Sequence, residues 1–441
     1  MPALPVLPSV LAHGVGARGD LPVDIGFLAW GSGLVLVVSF AAFGVLWTTP
    51  RLAAAAERTR PLGSGPTRLV DVLAVVGSVF AFAVWAMTIS SALFGSRFSV
   101  LNPAPWVVYI AVWTAMPMLS FLLGDIWRAV SPLRWMARGI VKLRGDRELS
   151  DYTFGAWPAA LSLLGFIWLE LAYHASDSPR VIGWLVVGYS AWAVLPAAKY
   201  GTEWTDRADG IGWWFSTVAS MAPWRRREQL ERRVPTSGLA NLHVEDGALA
   251  AVLIVLGGAT FDGFTRTDWW NDIAGDRFGW GLSGYASLGL VWILLIVGIA
   301  YFGAARFADR VPTKGEQIRA ADAFMPSLVP IAFGYGIAHT FSLLVFEGQT
   351  LLIRISDPYG NGADWFGTNT WIENYQAVST DLIAWVQVAS IVIGHVLGVM
   401  VAHDRALTRH EQHDDALRSQ YAMIIVMVGY TVAGLLLLVS A

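Results

Sequence analysis

Six ionisable side chains stand inside stretches of otherwise apolar sequence: Glu170, His174, Asp262, His339, Glu347 and His395. Imidazole and carboxylate groups bind borderline divalent ions without help from a thiolate, and imidazole exchanges protons near neutral pH. The chain has no cysteine. Disulfides, iron–sulfur clusters, thiolate zinc sites and cysteine nucleophiles are thereby excluded. Any metal must be held by His, Asp or Glu, and any nucleophile must be oxygen, nitrogen or metal-bound water. No HExxH, GxSxG or P-loop pattern and no paired-carboxylate motif accompanies these residues.

The elements that must position them are apolar helices. Hydrophobic residues make up 55% of the chain and charged ones only 14%, against roughly 25% charged in a soluble domain. The apolar residues come in runs of about 20, the length that crosses ~30 Å of hydrocarbon at 1.5 Å per residue. The runs are 25–48, 69–94, 106–124, 155–175, 181–199, 247–262, 282–304, 321–353, 378–402 and 420–440. They predict an all-α polytopic transmembrane bundle of about ten spans with short loops. Residues 25–441 form one transmembrane domain, and 1–24 form an extracytoplasmic N-terminal segment. Pro326 and Pro330 predict a kink or break at the start of the eighth span. The stretch 211–222, too short to cross, reads as a helix in the interface.

Orientation follows from the basic residues. Alternate loops hold 24 of the 30 Lys and Arg, in 51–68, 128–147, 199–233, 306–319 and 405–418. That asymmetry places these loops in the cytoplasm and both termini outside. RRREQLERR (225–233) is then an anchoring segment, and with a net charge of −3 no nucleic-acid partner is implied. Many of the 22 Trp residues flank the spans, as an interfacial belt does.

Depth brings the ionisable groups together. His339 lies about 15 residues before the outer loop 354–377 and His395 about 18 after it, so antiparallel helices carry them to similar depth. Glu347, eight residues from His339, is about 80° around the helix and can face the same interior. The expectation is a metal or proton site of His339, His395 and Glu347, with Glu170, His174 and Asp262 near its mouth. Zn(II) would suit such ligands and leave a coordination position for water, lowering its pKa to ~7. The alternative is a set of polar contacts that lock helices together. Gly394 and Gly398 form a GxxxG beside His395, a signature of close helix packing.

The opening MPALPVLPSVLAHG lacks a basic region and a full apolar core, yet Val10-Leu11-Ala12 resembles the end of a signal-peptide cleavage site. A start placed downstream of the true one accounts for both features. If an extended precursor is cut after Ala12, His13 becomes the mature N-terminus, and its amine and imidazole can chelate Cu(II).

Several stretches resemble a family of multi-pass proteins common in high-GC Gram-positive bacteria: HGVGARGDLPV (13–23), NPAPWVVYIAVW (102–113), LGDIWRAVSP (124–132), TFDGFTRTDWW (260–270), AHTFSLLVFEGQ (338–349), ISDPYGNGADWFGT (355–368) and GHVLGVMVAHDRAL (394–407). The resemblance covers most of the chain. Members are often labelled as similar to a membrane-bound fenitrothion hydrolase, which implies cleavage of organophosphate triesters in a bacterial cell membrane. It carries no catalytic residue onto this chain, and it departs at Thr340, where Tyr is frequent. Three classes stay open: a metal-dependent membrane hydrolase acting on a small apolar substrate, a transporter or metal-handling permease, and a non-catalytic subunit of a membrane complex.

Overall fold

Apolar segments in hydrocarbon fold as helices because a helix satisfies its own backbone groups. The computed structural model describes residues 25–145, 148–315 and 318–439, so residues 1–24, including His13, fall outside the described residues. Ten long helices form the frame: α1 Ile25–Leu46, α2 Ser64–Phe94, α3 Ala104–Leu123, α4 Trp157–Leu171, α5 Pro179–Tyr200, α6 Ala248–Thr265, α7 Gly279–Ala308, α8 Ala320–Arg354, α9 Thr380–Arg409 and α10 His413–Val439. Among the described residues eight helices are long and apolar enough to cross a membrane. A ninth is counted when α1 is joined to the short helix Arg51–Glu57, bent from it by 73°. The chain is a predominantly helical, multi-pass integral membrane protein.

The fourth expected span departs from that pattern. α4 has 15 residues, about 22 Å, short of the ~30 Å hydrocarbon layer. It runs beside α6 in the same direction. The Ala156 N–H donates to the carbonyl of Asp246 at 2.6 Å where both helices begin, and Ile167 packs on Gly258 further along. The apolar window of α6 is 67% buried, so protein rather than lipid surrounds much of the pair. α2 is the opposite case. Only 11% of its window is buried, and Val72, Val76, Val79 and Phe80 are exposed. Such a face is at home only against lipid tails.

Helices α6 and α8 occupy the centre. α8 opens as Ala320–Phe324, tightens into a turn at Met325–Ser327 around Pro326 and continues as Leu328–Arg354, with Pro330 in its first turn; the turn at Pro326 distorts the helix without dividing the span. It meets α9 through glycine. A Cβ at Gly334 would lie 2.4 Å from the Ser390 carbonyl oxygen, and one at Gly394 would lie 2.6 Å from that of Pro330. The GxxxG is thus a backbone-to-backbone crossing. In α3 the segment Val107–Ala115 winds as a π-helix, and the Thr114 hydroxyl donates to the Tyr109 carbonyl at 2.8 Å, five residues back. Wide turns of this kind recur at functional sites.

The short helix expected over 211–222 is Gly210–Ala219. Instead of lying flat on lipid it tucks against α3 and α4. Ile211, Trp214, Phe215 and Val218 are buried, because its apolar residues surround it and find helices on more than one side. RRREQLERR forms a feature that composition did not announce. Trp224–Arg226 and Leu230–Arg232 pair as a hairpin, with Arg60–Pro61 as a third antiparallel strand. Arg225 bonds Glu231 across the hairpin at 2.7 Å and holds that carboxyl below its ordinary range.

Candidate functional site

The site starts from α6, where Asp262 and Arg266 stand one turn apart and face α8. The imidazole of His339 meets both. Its Nε2 contacts Asp262 Oδ2, and Arg266 Nη2 lies 2.7 Å from the same nitrogen. Arg266 Nη2 is itself 3.7 Å from Asp262 Oδ2. A carboxylate oxygen only accepts, and a guanidinium N–H only donates. With its proton, Nε2 can serve Asp262; without it, Nε2 can accept from Arg266. Two opposed partners on one nitrogen define two proton states of the cluster.

Tyr335, one turn before His339, stacks on the imidazole with ring centroids 6.0 Å apart and planes 20° from parallel. Its ring fits over glycine: a Cβ on Gly263 would stand 2.6 Å from Tyr335 Oη, and one on Gly434 would stand 3.2 Å from the ring. The His339 side chain, 8% exposed, is thus held by α6 on one edge and by its own helix on one face.

The cluster forms part of the wall of a partly open cavity. Glu170 from α4, Asp262 from α6, and His339 and Thr340 from α8 line it, together with Trp113 and Thr114 of the π-segment, Trp214 and Phe333. The shortness of α4 serves this geometry, since Glu170 sits in its last turn. Among the described residues Glu170 makes no hydrogen bond or ion pair, whereas Asp262 has both His339 and Arg266. The cavity therefore holds one matched carboxylate and one unmatched one.

The other sequence candidates have separate partners. His395 is buried in α9, where its Nδ1 lies 2.8 Å from the carbonyl of Ile391 and its ring neighbours Tyr430. Among the described residues its Nε2 is buried with no hydrogen-bond partner. Glu347 accepts from the Trp106 indole N–H at 2.9 Å, tying α8 to the start of α3. His174 follows α4, and its backbone N–H and Nδ1 both lie 2.9 Å from Ser283 Oγ, which pins α4 to the start of α7. None of the three lines the cavity.

Among the described residues no group of three or more His, Asp or Glu is arranged to hold a metal ion. The expected trio of His339, His395 and Glu347 is not gathered at one point. Equal depth along two helices does not set rotation about them. His339 turns to α6, His395 bonds its own helix, and Glu347 reaches α3. A divalent ion at His339 would also sit beside a guanidinium, which repels it. The donor set around His339 does not fit a Zn centre, and the copper expectation at His13 lies outside the described residues.

Two participants were not picked out from the sequence, Arg266 and Tyr335. Both stand four residues from an identified candidate, Arg266 after Asp262 and Tyr335 before His339, and that spacing is the signal that one helix face carries them together. The chain matches no family profile, no curated protein and no solved structure.

Proposed function

We propose that this protein is a proton-linked permease for a small solute, with the solute bound in the cavity between α3, α4, α6 and α8. The observation that carries this reading is the contest for His339 Nε2 between Asp262 and Arg266 at the cavity wall. Ionisable groups in a membrane interior are costly and tend to mark proton or solute pathways. Here the groups line a partly open space, and a proton arriving at or leaving one nitrogen changes which of two charged neighbours it bonds. The tight turn within α8 and the π-segment of α3 are local departures from regular α-helix beside the cavity.

Of the three classes open from sequence, a metal-dependent hydrolase loses support, because the ligand set it needs does not assemble. The fenitrothion-hydrolase resemblance rests on sequence motifs alone. A purely structural role leaves the cavity and the unmatched Glu170 without a reason. The asymmetry of the basic loops supports a reading in which the Arg-rich end of the bundle faces the cytoplasm of a bacterial cell and both termini lie outside, with residues 25–441 as one transmembrane unit.

The test uses the full chain in liposomes that enclose a pH-sensitive dye and carry an imposed pH gradient. Cationic, anionic and neutral solutes are added in turn. At least one class should dissipate the gradient with the wild-type protein, and the same solute should fail with Asp262→Asn, which removes the charge that competes with Arg266. Protein that dissipates no gradient with any class, yet cleaves a phosphotriester or carboxylic ester in the same membranes, would return the hydrolase reading.

A further inference from the structure

The cavity wall carries an imbalance of charge and of hydrogen-bonding capacity. Glu170 has no partner among the described residues, and no Lys or Arg lines the cavity beside it. The hydroxyls of Thr114 and Thr340 are committed to the carbonyls of Tyr109 and Gly336, at 2.8 Å each. The wall thus offers an incoming anion few donors and confronts it with a carboxylate. A neutral solute supplies no charge to balance the carboxylate form of Glu170, which is costly in surroundings of low dielectric unless it is paired. A cation supplies the missing partner.

The rest of the wall fits the rest of such a molecule. Trp113, Trp214 and Phe333 line the same space, and aromatic faces attract organic cations, Trp most strongly. The remaining lining is mostly aliphatic, including Ile167, Val255 and Ile337. A small inorganic ion would gain nothing from these surfaces.

We propose that the cavity binds a hydrophobic organic cation, with Glu170 as its counter-ion and the aromatic side chains of Trp113, Trp214 and Phe333 as its walls. The proposal rests on the permease reading for its biological sense, but it is tested by binding alone. The probe is radiolabelled tetraphenylphosphonium, measured by equilibrium dialysis against the purified full chain in detergent, with protein-free micelles subtracted. Tetraphenylborate, of nearly the same size and shape but opposite charge, is the control.

The wild-type protein should bind the phosphonium saturably and the borate not at all. Glu170→Gln should weaken phosphonium binding by about tenfold or more, as loss of a desolvated charge partner does. Glu170→Asp should recover part of the loss, and Trp113→Leu should cost roughly threefold. Equal saturable binding of the two ions by the wild type overturns the proposal, and so does unchanged phosphonium affinity in Glu170→Gln. If Glu170→Gln does not fold, the two-ion comparison on the wild type decides. Phosphonium binding without gradient-linked movement keeps the cation site and rejects the permease; gradient-linked movement of an anion without phosphonium binding does the reverse.

Discussion

Asp209 and Glu170 are both carboxylates enclosed by the same bundle, and they are treated in opposite ways. Asp209 accepts from the Trp127 indole at 2.7 Å, the Tyr189 hydroxyl at 2.7 Å and the Gly212 backbone N–H at 3.0 Å. It caps the helix Gly210–Ala219 and joins it to the segment after α3 and to α5. Asp404 near the end of α9 is similar, bonding the Trp47 indole and the N–H groups of Leu52 and Ala53. Glu170 has no such donors. A carboxylate saturated by donors is committed to the fold. One that faces a cavity with its acceptors unused is available to a ligand.

The sharpest way to break this comparison is to remove Asp209. Asp209→Ala strands three donors and deletes a helix cap. At ~1–3 kcal/mol for each buried unsatisfied group, it should destabilise the protein by several kcal/mol. Unfolding in detergent with a graded denaturant measures it, and a loss below about 1 kcal/mol would show that saturation by donors does not mark a structural carboxylate here.

A smaller effect is expected in the loop between α8 and α9, where Asp364 is saturated but lies at the surface. Its carboxylate accepts from the Ser356 hydroxyl at 2.6 Å and the Asn369 N–H at 3.1 Å, and these bonds hold its pKa below the ordinary carboxylate value. A group with a depressed folded pKa contributes stability above its unfolded value and loses it as pH falls through the folded one. The loop should therefore stay ordered from neutral pH down to about 4 and loosen only below that. A spin label on Ala363→Cys, in a chain with no other cysteine, reports its mobility. The acid transition should vanish in Asp364→Asn, and an unchanged transition in that variant would assign the loosening to another group.

The two kinds of carboxylate were not equally legible in the sequence. Hydropathy is a property of segments, so the helical runs could be read from residue types, and the tight turn at Pro326 and the Gly394–Gly398 contact from spacing. The count of ten was less secure. α4 is apolar over a span-like window, but it ends at Leu171 because His174 and Ser283 fasten the turn that follows. Depth could be read by counting along α8 and α9, yet rotation could not, and the joint His339, His395 and Glu347 site depended on rotation. The partner of His339 lies on α6, and no local pattern on α8 names it. Asp262 and Arg266, one turn apart at a helix end, were the readable half of that pair. Nothing in RRREQLERR distinguishes a hairpin from a loop except the chance of Arg225 meeting Glu231 across it.

The unmatched cavity carboxylate, Glu170, serves function and not the fold, and Glu170→Gln separates the two roles when stability and solute movement are measured on the same preparation. The variant has no bond to lose, so its unfolding free energy should stay within about 1 kcal/mol of the wild type, while proton movement driven by tetraphenylphosphonium across the liposome membrane should fall by about tenfold or more. A variant that unfolds as readily as Asp209→Ala, or that still moves protons at the wild-type rate, would contradict the account.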